Sequence, residues 1–469
     1  MAKNKLTRRS FLQLSGGVVG MTALAACAAP VQAPAEGADT GSDSSEPVST
    51  APGELWVLHK QDYHPAYNDY VRARIVDFAA ENNLELEVAF TSGFSGTGAD
   101  VQKVAAAVQA GDPPDVWIDN VAPFRLDQLG LIQDVSDIQQ EVIDMYGEPA
   151  PMPKSANFRD GRYVGVILHT RSDGGWARQD LFEGAGIDIN ALTTFEELRD
   201  ACLAVSDPAN QIYGWGMTIN RSGDAGYLIN RVVHGWGATY TDETGEAVTI
   251  DSPEMVDAVQ WLVDTYTDPQ WEPMMPPGIL SWTDTSNNEN YLGGNVAYTM
   301  NAGTVYASAV VEGLDVADTT TYDFPKGGPA VEEFMGMGGM YQHIISDAPN
   351  PEMARELILS FFPEERMQEM FATGVSYTLP AYEPQWDWEI ITQYAINEPM
   401  RGAALHPTAW NGAAWPGPYT AQIGAMEAGN IHTDMIANVI NGQMTAAESV
   451  ADAHTKTVQI FQEFGVEGA

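Results

Sequence analysis

The stretch Phe158-Arg-Asp-Gly-Arg-Tyr-Val-Gly-Val-Ile-Leu168 contains a turn followed by a strand, and it decides the fold class. Asp160-Gly161 is a turn signal. The nearly continuous apolar run from Tyr163 to Leu168 predicts a buried strand. Further on, Thr194 and Glu197 fit a capping box, in which each side chain bonds a free backbone N–H of the first helical turn. Together these features predict an α/β protein.

The chain before this stretch alternates between strand and helix patterns. Glu54–His59 and Leu84–Phe90 alternate as strands do, whereas Tyr67–Ala80 and Asp100–Ala110 have helical spacing. This order predicts a mostly parallel sheet with helices on both faces. At 469 residues the chain exceeds the size at which a single core stops growing, so two lobes are expected.

The charge balance excludes some partners. The sequence has 22 basic and 64 acidic residues, a net charge of −42. Such a charge argues against nucleic acid and against electrostatic docking on anionic lipid, since both would repel it. Two interpretations of the acidity stay open: general solubility, and life in a salty medium that screens the self-repulsion.

The N-terminal segment predicts export. Residues 1–26 have a basic start and a short, mildly apolar stretch, which is typical of a signal peptide. Thr7-Arg-Arg-Ser-Phe-Leu12 resembles a twin-arginine signal, although an ordinary secretory segment is the alternative. Leu24-Ala-Ala-Cys27 resembles a lipoprotein cleavage box, which predicts lipidation of Cys27 unless cleavage occurs elsewhere. Residues 27–52 lack large apolar side chains, so we expect a flexible tether.

Candidate ligand contacts follow the predicted strands of the first half. Ligands of open α/β sheets gather at the carboxyl ends of the strands. Trp117, Asp119 and Asn120 fall at the end of one strand, and His59 falls at the end of the first. The alternative is a core position for Trp117 and a solvated turn for Asp119 and Asn120.

Aromatic residues supply a second group of candidates. Sugars present C–H bonds on one face and hydroxyls at the rim, which suits an aromatic plane flanked by carboxylates and amides. Arg171 could donate two hydrogen bonds to a substrate, or could form a surface ion pair instead. The ring candidates, for which a core role is the alternative, are Trp176, Trp410, Trp415 and Tyr419.

The sequence offers little for catalysis. It contains no Gly-x-Ser-x-Gly, no His-Glu-x-x-His, no phosphate loop and no Cys/His metal spacing. We therefore predict a protein that is not an enzyme, with no cofactor and no metal site.

The order of several motifs resembles extracellular solute-binding protein family 1, of the maltose and multiple-sugar type. The resemblance covers about residues 53–465, and four positions depart from it: Ile167, Arg178, Tyr298 and Thr304. The segments that carry it are Gly111-Asp-Pro-Pro-Asp-Val116, Tyr163-Val-Gly-Val-Ile167, Asp180-Leu-Phe182, Thr194-Phe-Glu-Glu197, Asn290–Tyr306, Gly338-Gly339 and Tyr377-Thr-Leu-Pro-Ala381.

The resemblance implies an α/β, two-lobed, type II periplasmic-binding-protein-like fold with three interlobe crossings. It places 53–166 and 298–343 in lobe 1, and 167–297 and 344–469 in lobe 2. It adds Asn301, Tyr306, Met340 and Tyr341 to the candidate contacts.

The implied function is that of a lipid-anchored, extracytoplasmic monomer that captures a sugar and passes it to the permease of an ABC importer. Two rivals remain, a binder of cationic solutes such as polyamines and a surface carbohydrate-active enzyme.

Overall fold

A computed structural model describes residues 53–91, 97–171, 173–331, 338–408 and 410–466. The predicted signal peptide at 1–26, the lipidation site Cys27 and the tether at 27–52 lie outside the described residues. Within the described ranges, no helix combines the length and the apolar character needed to cross a bilayer.

Two main β-sheets and one short hairpin organise the described chain. The strands are β1 (Glu54–Lys60), β2 (Glu85–Thr91), β3 (Val116–Asp119), β4 (Phe158–Arg159), β5 (Arg162–Tyr163), β6 (Val166–Arg171), β7 (Asp173–Arg178), β8 (Tyr213–Trp215), β9 (Val296–Ala302), β10 (Thr320–Asp323), β11 (Gly339–Ile344) and β12 (Thr378–Leu379). The first sheet has the order β12-β6-β11-β3-β1-β2, the second has the order β10-β7-β9-β8, and β4 pairs with β5.

Helices cover the faces of both sheets. The α-helices are Pro65–Glu81, Thr97–Ala110, Pro123–Gln128, Ser136–Tyr146, Pro151–Asn157, Gln179–Gly184, Phe195–Val205, Gly223–Gly235, Pro253–Thr267, Ser286–Leu292, Thr304–Glu312, Pro351–Leu359, Glu364–Gly374, Glu389–Thr392, Asn397–Ala404, Ala421–Ala428, Ile431–Ile440 and Ala446–Glu463. Short 3₁₀ turns occupy Ile189–Ala191, Pro208–Asn210, Glu272–Met274, Ile279–Ser281, Asp315–Thr319, Glu383–Asp387 and Gly412–Ala414.

Strand β1 shows why the first sheet is buried on both sides. Successive side chains of a strand point to opposite faces. Leu55 and Val57 belong to the core cluster that contains Val71, whereas Trp56 and Leu58 belong to the cluster that contains Val104. Because helices pack on both faces of the sheet, the successive residues Leu55–Leu58 are all apolar.

The strand directions are mixed, although most strands of each sheet share one direction. In the first sheet β1, β2, β3 and β6 point the same way, whereas β11 and β12 run against them. In the second sheet only β7 opposes the other three. Strands β7 and β11 are each the first strand after a passage between the two sheets, whereas β12 follows β11 within the first sheet.

The local signals of the fold-deciding stretch are confirmed. Asp160 and Gly161 both have positive φ and connect β4 to β5 as a tight hairpin. Every residue of β6 is buried. Thr194 and Glu197 form the predicted capping box at the start of Phe195–Val205.

The chain passes between the sheets three times. β6 lies in the first sheet and β7, one residue later, in the second. The chain returns between β10 and β11. It passes again after Asn397–Ala404, since the terminal helices Ile431–Ile440 and Ala446–Glu463 pack on Pro253–Thr267.

The later crossings differ from the expected boundaries. β9 and β10 belong to the second sheet, because β9 pairs with β7 and β8, so the expected placement of 298–323 in lobe 1 is wrong. Likewise β12 pairs with β6, which places this part of 344–469 with the first sheet rather than the second. The resemblance covered the segment of β9, but it did not show which strands β9, β10 and β12 would pair with.

Candidate functional site

A cavity of about 260 Å³ lies between the two lobes. Its first-lobe wall is formed by Lys60, Asp62, Tyr63, Asn120, Arg171 and Tyr377, and its second-lobe wall by Asp224, Asp284, Thr285, Asn288, Asn301 and Thr304. Gly223, Ala302, Gly338 and Gly339 complete the lining.

Strand ends position the first-lobe wall. Lys60 and Arg171 are the last residues of β1 and β6, and Asn120 follows β3. These three strands are parallel, so their carboxyl ends meet at one edge of the sheet. The general rule for ligand sites in open α/β sheets is therefore obeyed here.

Asp62 is the centre of a buried hydrogen-bond network on this wall. Its carboxylate accepts from the Arg171 guanidinium, from the Tyr377 hydroxyl at 2.8 Å and from the backbone N–H of Tyr63 at 2.7 Å. Burial opposes ionisation of Asp62, but the charges of Arg171 and Lys60 and the Tyr377 hydrogen bond outweigh it and lower the pKa to about 2. Asp62 is therefore a fixed anion that holds Arg171 in place.

Lys60 is a buried ammonium group beside this network. The residue is 4% exposed and lines the cavity. Burial and the nearby charge of Arg171 lower its pKa to about 8, with partial opposition from Asp62 and Asp119. Among the residues that the structure describes, its ammonium has neither an ion-pair nor a hydrogen-bond partner.

The second-lobe wall is an amide and carboxylate network at a helix start. Asp284 accepts from the backbone N–H groups of Gly223 and Asp224, at 3.2 and 2.9 Å, and so caps the helix Gly223–Gly235. Asp224 accepts from Asn287 at 2.8 Å and from Asn301 at 3.0 Å. This wall offers carboxylate and amide groups that can accept hydrogen bonds from hydroxyls.

Asn301 is held tightly within this wall. Its amide nitrogen also donates to Asn288, and its carbonyl oxygen accepts from the Thr304 hydroxyl at 3.1 Å. Thr304, which stands where the family usually has a stacking tryptophan, thus supports an amide rather than offering a ring. The second-lobe wall has no aromatic side chain among its described members.

Three of the predicted contacts line the cavity: Asn120, Arg171 and Asn301. The other candidates at the ends of β1 and β3 lie behind the cavity wall. Trp117 is fully buried and its indole N–H donates to Asp119 at 3.1 Å, while Asp119 also accepts from the N–H of Asn120 at 2.7 Å. Trp117 and Asp119 therefore stabilise the turn at Asn120. Trp117 is a core residue, which was the alternative to a ligand contact.

His59 is also a core residue rather than a contact. It is buried with its ring 4.2 Å from that of Phe90. Burial lowers its pKa to about 4, so it stays neutral at physiological pH. The strand's alternation turns the next residue, Lys60, toward the cavity instead.

The predicted rings near the crossings lie outside the cavity. Trp176 is fully buried in the second sheet, donates to the backbone oxygen of Asn301 at 3.0 Å and stacks on Tyr306 at 5.9 Å. Met340 and Tyr341 are buried in β11. These residues fix the strands that carry the cavity residues.

The aromatic loop near the C-terminus packs against the helix Gly223–Gly235 instead of the cavity. The Trp410 indole N–H donates to His234 at 2.8 Å, and the Trp415 ring lies 5.2 Å from that histidine. The Tyr419 hydroxyl donates to Glu427. The prediction of a tryptophan platform is therefore not met, since no tryptophan is among the described lining residues.

Several lining residues were missed by sequence reasoning. Asp62 and Tyr63 follow β1 directly, so the strand-end rule that selected His59 could have included them. Tyr377 opens the Leu-Pro-Ala loop that carried part of the resemblance. Asp224 and Asp284 had no local signal, because they meet only through the helix start at Gly223.

The described residues include no group of three or more His, Cys, Asp or Glu side chains arranged to hold a metal ion. The cavity's own chemistry is that of polar recognition, with charged donors on one wall and oxygen acceptors on the other.

Comparison with known proteins identifies relatives. The model of a bacterial extracellular solute-binding protein family matches residues 73–384, more than half of the chain. A maltotriose-binding protein of Pyrococcus abyssi is 24% identical over 173 residues, and this match spans about a third of that protein, 34% of its length, and 36% of the chain.

Solved structures show the same fold. A maltose-bound MalE3 of Thermotoga maritima superposes with a TM-score of 0.72 at 17% identity, covering 87% of this chain and 100% of the other. A ribitol-bound solute-binding protein of Agrobacterium radiobacter K84 gives 0.70 at 17% identity, covering 87% and 99%. The predicted two-lobed, type II periplasmic-binding-protein-like fold is thereby confirmed.

Proposed function

This chain belongs to the bacterial extracellular solute-binding proteins, and we propose from that premise that it captures a small carbohydrate between its lobes for an ABC importer. The family places the protein outside the cytoplasm. The observation that carries the proposal is the cavity of about 260 Å³ between the lobes, lined by carboxylates, amides and hydroxyls of both. Closure of the lobes around the ligand would bring both walls into contact with it.

The cavity favours a small polyhydroxylated ligand. Its volume is close to the lower limit of about 300 Å³ for small-molecule sites. Asp224, Asn288 and Asn301 can accept from hydroxyls, and Lys60 and Arg171 can donate to oxygens. Tyr63 and Tyr377 are the aromatic members of the described lining, and they suit one sugar ring better than a long chain of sugars.

Delivery and anchoring complete the proposal. Export by the segment 1–26 and lipidation of Cys27 would hold the chain at the membrane, with 27–52 as a tether. The closed monomer would then dock on the membrane-spanning subunits of the permease. Neither nucleic acid nor an enzymatic reaction has a part in this function.

Calorimetric titration of the purified chain with glucose, maltose, ribitol and mannitol tests the proposal. We expect saturable binding of at least one of these, weakened about 10-fold or more in Asn301→Ala, because a buried hydrogen-bonding group is lost. Asn295→Ala is the matched control, since Asn295 lies outside the cavity. A folded protein that binds no sugar, sugar alcohol or sugar acid would contradict the proposal.

The two rivals have clear signatures in the same assay. Asp224 and Asp284 would attract a polyamine, but Lys60 and Arg171 on the facing wall would repel it. Tight spermidine binding without sugar binding would favour the cation binder. Release of reducing sugar from an oligosaccharide would favour the enzyme.

A further inference from the structure

The buried ammonium of Lys60 is the feature of the cleft that a neutral sugar leaves unexplained. A buried charge is strongly destabilising unless it is paired. Lys60 is 4% exposed, lines the cavity and has no partner for its ammonium within the described part of the chain. The missing partner of this group is therefore expected to come with the ligand.

Arg171 strengthens the positive character of the same wall. Its guanidinium has five donors, of which the described residues engage one terminal nitrogen, with Asp62. The ring of Tyr377 lies 5.0 Å from the guanidinium carbon and limits its movement. Two cations thus line this wall against one carboxylate, that of Asp62.

Asp119 does not cancel this surplus at the cavity surface. It lies behind the wall, and its oxygens accept from the Thr91 hydroxyl, the Trp117 indole and the N–H groups of Asn120 and Val121. These four donors fix the carboxylate within the turn. The ammonium group of Lys60 consequently faces the cavity, where the ligand would bind.

The opposite wall would orient such a ligand. Asp224 and Asp284 repel an anionic group and accept from hydroxyls, whereas Lys60 and Arg171 attract the anion. A ligand with an acid at one end and hydroxyls at the other would satisfy both walls at once. Neither a neutral polyol nor a polyamine does so.

We propose that the cleft binds a sugar acid of one ring, with its carboxylate against Lys60 and Arg171 and its hydroxyls against Asp224, Asn288 and Asn301. The inference rests on the proposed function and names its substrate class. Glucuronate, galacturonate and mannuronate represent the class, and glucose, galactose and mannose are their neutral counterparts.

The first experiment compares these matched pairs by calorimetry on the purified chain. At least one acid should bind about 30-fold or more tightly than its neutral counterpart, the effect of one buried charge contact. Equal or tighter binding of the neutral sugars would overturn the inference while leaving the proposed function intact. Absence of binding by all six ligands to the folded chain would count against both.

Substitution of Lys60 separates the charge from the general shape of the site. Lys60→Gln should weaken acid binding about 30-fold or more and should change neutral-sugar binding little. Lys154→Gln is the control, since Lys154 pairs with Glu148 at the surface. If Lys60→Gln weakens acid and neutral ligands equally, the inference fails; if that variant does not fold, Lys60→Met replaces it.

A pH series gives a readout that needs no variant. Burial and the charge of Arg171 lower the pKa of Lys60 to about 8 against the opposing effect of Asp62 and Asp119, so its charge is lost as pH rises through that value. Acid affinity should therefore fall by about 10-fold or more between about pH 7 and pH 9.5, while neutral-sugar affinity stays level. A flat profile for the acid would contradict the assignment.

The net charge of −42 supplies an independent kinetic test. At long range it repels an anionic solute, and salt screens this repulsion. The association rate of the acid should therefore increase with ionic strength, whereas that of the neutral sugar should not. An association rate of the acid that falls with salt would show that attraction by Lys60 and Arg171 outweighs the net charge during its approach, whereas a rate as insensitive to salt as that of the neutral sugar would count against the inference.

Discussion

The two walls of the cleft differ in what holds them together. The first-lobe wall is a buried ion pair of Asp62 and Arg171 with the ammonium of Lys60 beside it, all placed by strand ends. The second-lobe wall is a set of amides and half-buried carboxylates around Asp224 and Asn301, placed by a helix start and by β9. The same cavity thus has one wall whose integrity depends on charge pairing and one that depends on ordinary hydrogen bonds.

This difference predicts different responses to substitution. Breaking a buried ion pair leaves an uncompensated charge in a low-dielectric site, which destabilises the fold. Removing one member of a partly exposed hydrogen-bond network lets water replace it. Variants that break the pair of Asp62 and Arg171 should therefore destabilise the fold as well as weaken binding, whereas variants of the second wall should mainly weaken binding.

Arg171→Met is expected to have the largest effect on stability. It leaves the Asp62 carboxylate buried without its main counter-charge, and we expect a loss of about 3–5 kcal/mol in the free energy of unfolding, measured by urea denaturation. Ligand binding should be lost as well.

Arg178→Met is the matched control for Arg171→Met. Arg178 pairs with Asp180, whose side chain is 40% exposed, so the loss should stay below about 1 kcal/mol. Similar losses in the two variants would show that the ionic network at Asp62 does not stabilise the first-lobe wall more than a surface pair does.

Asp224→Asn should have a smaller effect on stability and a clear one on binding. The amide oxygen still accepts from Asn287 and Asn301. Loss of the negative charge at the start of the helix should lower the free energy of unfolding by about 0.3–1 kcal/mol. Ligand affinity should fall about 10- to 100-fold, because a charged hydrogen-bond acceptor for a hydroxyl becomes neutral. Paired denaturation and calorimetry on one preparation measure both quantities.

A surface variant shows whether the effect of Asp224→Asn is local. Asp180 lies outside the cavity, so Asp180→Asn should leave the affinity for the ligand unchanged. If Asp224→Asn destabilised the fold as much as Arg171→Met does, the contrast between the two walls would be lost.

The sequence predicted the architecture well because its signals are local. The hairpin at Asp160-Gly161, the buried run of β6 and the capping box at Thr194 each depend on neighbouring residues and were confirmed. The strand-end rule predicted Asn120 at the cavity, and Arg171, proposed as a hydrogen-bond donor, lies there too because β6 ends at the same carboxyl edge.

The sheet that each strand joins and the other residues that line the cavity could not be predicted from local sequence patterns. Strand pairing decides that β9 joins the second sheet, and pairing depends on residues far apart in the chain. Aromatic side chains serve cores and ligands equally well, so composition did not reveal that Trp176 packs inside the second sheet. Asp284 reaches the site only because the chain returns to the helix start at Gly223.

Tyr306→Phe is expected to have the smallest effect, and it tests the aromatic prediction directly. Tyr306 was expected to contact the ligand, whereas its ring stacks on Trp176 at 5.9 Å and lies outside the cavity lining. The phenylalanine ring keeps this stacking, so affinity should change less than about twofold and stability by less than about 0.5 kcal/mol. Titration of this variant beside Asp224→Asn makes the measurement. A loss of affinity as large as that of Asp224→Asn would mean that the hydroxyl reaches the ligand in the closed form, and that the second-lobe wall is not limited to carboxylates, amides and threonine hydroxyls.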